Sequence, residues 1–131
     1  MRMSYAALQA PGVLRRGFDM FLDVYIGEVK SEGFDFDVPG NYNGYMPKHA
    51  YEVERPWPTY VGERDLFWAV LDEPNAKQLD WGCHAVKMSV PELRAWLSAE
   101  RWSGNECARV LLGKLNGLDP AGHYLLTAVE S

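Results

Sequence analysis

A helix has to begin at Ser89. In Ser89-Val90-Pro91-Glu92 the Ser hydroxyl and the Glu carboxylate stand at the spacing that lets each satisfy the other's orphan backbone donor, and Pro is accepted in a first turn. Val90, Leu93, Trp96 and Leu97 then form an apolar stripe, with Arg94, Ser98 and Arg101 facing out. Ser103-Gly104-Asn105-Glu106 reads as a second capping box. Cys107, Val110, Leu111 and Leu115 supply the next stripe, and Asn116-Gly117 the stop. Two consecutive helices in the last third of the chain need an apolar surface to cover, and the rest of the sequence must supply it.

The upstream pattern has period two. Met20, Leu22, Val24 and Ile26 alternate with Asp19, Phe21, Asp23 and Tyr25, which predicts a half-buried strand. Residues 30–33 read as a turn, and Phe34, Phe36 and Val38 alternate with Asp35 and Asp37, so a second strand is expected to return as a hairpin partner. In that arrangement Asp23, Asp35 and Asp37 share the solvated side. Residues 39–58 are rich in Pro, Gly and Asn and read as a long loop with one short strand at 51–54. Residues 64–71 read as a helix, 73–83 as loop, 84–88 as a short strand, and His123 onwards as a final strand. Pro11-Gly12 cuts residues 1–16 into two pieces, expected as a short helix or a loose arm. Early strands, late helices and a returning last strand predict an α+β fold. Its expected form is a two-layer antiparallel sheet with two consecutive C-terminal helices on one face and a final strand returning to the sheet. A chain of 131 residues is expected to form one domain, spanning 1–131.

The apolar content of 47% and the count of five Trp, seven Tyr and five Phe exclude a disordered chain. No run approaches the ~18 apolar residues of a membrane span, and the N-terminus lacks a secretory pattern, so a cytoplasmic location is expected. There the two cysteines, Cys83 and Cys107, are expected as reduced buried thiols. Charge is unevenly spread. Residues 17–80 carry thirteen acidic against five basic side chains, whereas 81–131 balance and 1–16 hold only Arg2, Arg15 and Arg16. An acidic middle speaks against direct nucleic-acid binding and for a basic partner.

Catalytic and metal chemistries find little support in the spacing. Asp35 and Asp37 on one strand face would stand about 7 Å apart, near the range of inverting glycosidases. Two adjacent solvent-facing carboxylates lack the desolvation that raises a catalytic acid's pKa. Asp35, Asp37, Asn41 and Asn43 offer calcium-type oxygen donors, yet Pro39 interrupts the loop and Met46 fills its closing position. Cys83, His84, Cys107 and His123 follow no zinc spacing. No nucleophile elbow, phosphate loop or HExxH occurs. No cofactor and no metal are expected.

What remains is an acidic strand face bordered by aromatics, and these are the residues that speed encounter with, and anchor, a basic protein. The expected function is a non-enzymatic binding module of the inhibitor or immunity type. It would cover a basic surface of a partner such as a nucleic-acid-processing toxin or defence enzyme. Asp19, Asp23, Asp35, Asp37, Glu52 and Glu54 are the expected contacts, with Tyr42, Tyr45 and Trp57 as anchors. The alternative is a small-molecule-binding domain or small enzyme, whose pocket between the 39–58 loop and the 81–84 cluster uses His49, Asp80, Trp81 and His84.

Overall fold

The structure, a computed structural model, describes residues 6–9, 14–17, 21–38, 46–53 and 60–130. It is an α+β fold. Four antiparallel strands form the main sheet in the order β3-β8-β7-β6, with β3 at Leu22–Glu28, β6 at Lys77–Asp80, β7 at Cys83–Ser89 and β8 at His123–Glu130. The last strand lies in the middle, between β3 and β7. A separate hairpin joins β1 (Ala6–Gln9) to β2 (Leu14–Gly17), where the sequence suggested a helix or a loose arm. Pro11-Gly12 itself lies outside the described residues.

Three helices cover one face: α1 (Glu63–Leu71), α2 (Val90–Leu97) and α3 (Glu106–Lys114). Helix residues Leu66, Val70, Leu93, Leu97 and Leu111 pack with Val24, Ile26, Val86, Met88, Leu126 and Ala128 of the sheet. The capping box at α2 forms as the sequence requires: Ser89 Oγ accepts the Glu92 N–H at 3.2 Å and Glu92 Oε1 accepts the Ser89 N–H at 2.9 Å. The second box does not form. Asn105, not Ser103, caps α3, its Oδ1 accepting the Ala108 N–H at 3.0 Å, and Glu106 turns away to accept the Val61 N–H at 2.9 Å. Asn is as good a cap as Ser.

The expected hairpin between the first two acidic segments is also corrected. β3 pairs with β8 along its whole length. Beyond it the chain makes only a tight hairpin, β4 (Lys30–Ser31) with β5 (Phe34–Asp35). That hairpin sits on the sheet face opposite the helices. Phe34 and Phe36 are buried there against Tyr25, Leu79, Cys83, Ala85, Leu125 and Val129. The side read as solvated thus carries a second apolar cluster. Two further expectations fail locally. Lys77–Asp80 is a strand inside the stretch read as loop, and among the described residues 46–53 the only β-type pairing is the bridge of His49 to Gly27.

Candidate interaction surface

One end of the main sheet is built to present aromatic side chains. Leu22 pairs with Glu130, and the Glu130 N–H donates to the Gly82 carbonyl at 2.7 Å, so these three residues form a row across β3, β8 and the β6–β7 turn. One step beyond the row stand Phe21, 62% exposed, and Trp81, 75% exposed. Two strand spacings separate their backbones, about 10 Å. The turn holding Trp81 is tightly defined. Gly82 has φ 71°, and a Cβ there would come within 2.7 Å of the Glu130 carbonyl oxygen, so only glycine fits. Asp80 Oδ1 accepts the N–H of the next residue, Trp81, at 2.8 Å, a local side-chain to backbone contact within the turn.

Among the described residues, the charges on the strands at this end are acidic. Asp23, Asp80 and Glu130 are its carboxylates, and neither the start of β3, the turn nor the end of β8 contains Lys or Arg. Burial pushes the half-buried Asp23 carboxyl above its usual range. It also pulls His84 down, against the smaller opposing pull of Glu130, so near neutrality the imidazole adds no positive charge to offset the acids.

The other acidic residues singled out in the sequence lie elsewhere. Asp35 pairs with Lys30 at 3.3 Å, and its Oδ1 accepts the Asp37 N–H at 3.0 Å. Asp37 pairs with Lys87 at 3.0 Å. Both stand near the far end of the sheet from Asp23, so the first acidic segments do not gather into one outward face. Glu52 is exposed on residues 46–53, which run along the outer edge of β3. Asp19, Tyr42, Tyr45, Glu54 and Trp57 lie outside the described residues. The alternative pocket is split: His49 stacks on Tyr25 at 4.0 Å beside β3, at the opposite edge of the sheet from Asp80, Trp81 and His84.

Other concavities and clusters give no convergent chemistry. An open groove of about 590 Å³ between the end of α2 and the start of α3 is lined by Leu97, Trp102, Ala108 and Leu112. Two of its charged residues, Glu106 and Arg109, approach each other at 3.9 Å. Among the described residues no group of three His, Cys, Asp or Glu side chains is arranged to hold a metal ion. No helix among them is long and apolar enough to cross a membrane. Cys83 and Cys107 are free and fully buried.

Sequence reasoning missed Phe21 and Glu130 as members of this surface, and Glu63 as a buried group. Phe21 carried a visible signal, an aromatic residue at the mouth of a strand. Glu130 acquires its place only through the cross-strand row. Comparison of the chain with protein-family models, with curated proteins and with solved structures finds no match.

Proposed function

We propose that this chain is an acidic protein-binding module of the inhibitor or immunity type, which covers a basic functional surface of a partner. We place its docking surface at the sheet end carrying Phe21, Trp81, Asp23, Asp80 and Glu130. The observation that carries the reading is Trp81. A tryptophan 75% exposed on a turn that only glycine permits is a large apolar area left in water, and tryptophan is the residue most enriched among interface anchors. The surrounding carboxylates favour a partner of opposite charge, because such pairing raises the association rate and excludes acidic competitors. Surfaces that process nucleic acid are basic for the same electrostatic reason, which makes a toxin or defence enzyme of that class the natural target.

The test is binding to the partner identified by cross-linking the intact chain in its host, measured for wild type, Trp81→Ser and Asp80→Asn. The reading expects Trp81→Ser to weaken binding about 30-fold or more, the effect of losing a hot-spot anchor. It expects Asp80→Asn to slow association and flatten its salt dependence. A partner bound equally by wild type and Trp81→Ser, or bound with no dependence on salt, refutes the proposal.

A further inference from the structure

The β1–β2 hairpin is a two-stranded sheet of its own, with Arg15 opposite Leu8 and Arg16 opposite Ala7 in the register. A two-stranded hairpin is marginal in water and becomes stable only by packing against something else. Its composition says what that surface has to be. Residues 1–17 hold Arg2, Arg15 and Arg16 with no Asp or Glu, and the paired positions are otherwise Ala, Leu, Gln and Gly. A segment that is basic and partly apolar is matched by a surface that is acidic and aromatic.

Such a surface lies within reach. β2 ends at Gly17, and Phe21 stands four residues further on, so the two backbones are at most about 14 Å apart. The sheet end that begins at Phe21 carries Trp81, Asp23, Asp80 and Glu130. We propose that the β1–β2 hairpin is a built-in competitor for this sheet end: it closes over Phe21 and Trp81 of its own chain, and a basic partner displaces it. The inference rests on the reading of that end as the docking surface, and it names what regulates access. With Phe21 62% and Trp81 75% exposed, the structure describes the open arrangement.

The tether decides between the chain's own hairpin and that of a second copy. A short connection holds the hairpin at an effective concentration of about 1 mM. A contact with a dissociation constant of about 0.1 mM, weak for a protein interface, then keeps the hairpin closed about ten times more often than open. The partner's apparent affinity falls by the same factor of about ten. Because arginine and carboxylate charges supply part of the attraction, 1 M salt, where charges are screened beyond about 3 Å, opens the hairpin.

Native-state hydrogen exchange of the Ala7, Leu8, Arg15 and Arg16 amides tests this on the intact chain. Protection in wild type is expected to be about ten-fold greater than in Trp81→Ser, a change remote in sequence that the hairpin senses only when closed. The reciprocal variant is Arg15→Gln/Arg16→Gln, in which the Trp81 indole N–H is expected to resonate where wild type does in 1 M salt. Equal protection in wild type and Trp81→Ser overturns the proposal, as does a Trp81 signal that responds neither to salt nor to loss of the two arginines. Protection that grows with protein concentration overturns it too, because a second copy then supplies the hairpin. No partner enters these measurements. A failed closure therefore leaves the docking surface standing, whereas a partner indifferent to Trp81 refutes that surface without altering the exchange result.

Discussion

Gly62→Ala is expected to destabilise the protein by more than its own backbone strain, and the excess should disappear when Asn105 is also removed. Gly62 caps α1 with φ 87°, a left-handed conformation that costs a side-chain-bearing residue about 1 kcal/mol. A Cβ at this position would also lie 2.6 Å from Asn105 Cγ and 2.7 Å from its Oδ1, separations that no relaxed structure contains. Asn105 cannot simply yield. Its Nδ2 donates to the Gly62 carbonyl at 3.2 Å while its Oδ1 caps α3 through the Ala108 N–H at 3.0 Å, so moving it breaks a bond at the start of each helix. Overpacking of this kind costs about 2 kcal/mol, which brings Gly62→Ala to about 3 kcal/mol. Asn105→Ala alone forfeits the cap, about 1 kcal/mol. In the double variant the clash is gone, leaving strain and lost cap, about 2 kcal/mol rather than the additive ~4. Urea denaturation of the four proteins of this cycle measures the difference directly. Additive losses would mean that the two helix starts are not locked together through this amide, and the argument would fail.

Two further outcomes follow from single side chains. Ser89→Ala removes one half of a formed capping box and should cost about 1 kcal/mol in the same urea assay, whereas Ser103→Ala should cost almost nothing, because Asn105 is the cap. Burial pushes the Cys83 thiol up to about 12 and the Cys107 thiol higher still, so a thiol reagent at pH 8 should label neither in the native protein and both in denaturant. Rapid labelling of native Cys83 would contradict its burial beneath the 30–35 hairpin.

The parts of the fold that could be read from the sequence are those whose physics is local. The α2 capping box needs only the residues Ser89 to Glu92, and the last strand, His123–Glu130, is an unbroken β-prone run between a turn and the end of the described chain. Helix α1 was less legible, because Arg64 to Leu71 is too short and too apolar a run for its period to separate helix from strand, and packing on the sheet decides it. β6 was not legible: Lys77-Gln78-Leu79-Asp80 has one buried side chain, Leu79, and becomes a strand because β7 offers an edge beside it. Its extended shape is imposed by a partner, and no period within four residues announces that.

The misplaced acidic face has a deeper cause. Alternation along a strand separates two sides, but it does not say which side meets water, and in β3 the side bearing Asp23 also bears Tyr25. Phe34 and Phe36 decide the matter. By folding across that side they bury Tyr25 and send the carboxylates that follow each of them, Asp35 and Asp37, toward Lys30 and Lys87. The same two phenylalanines that looked like the inner face of a second strand are a lid. Once that lid covers the middle of the sheet, exposed aromatic area survives at the sheet's end, where Phe21 and Trp81 project beyond the last cross-strand row. Acids close together in sequence were therefore a poor guide to a shared surface. Asp23 and Asp80, 57 positions apart in the chain, stand at the same end of the sheet only because β8 and β7 lie between their strands and fix the register.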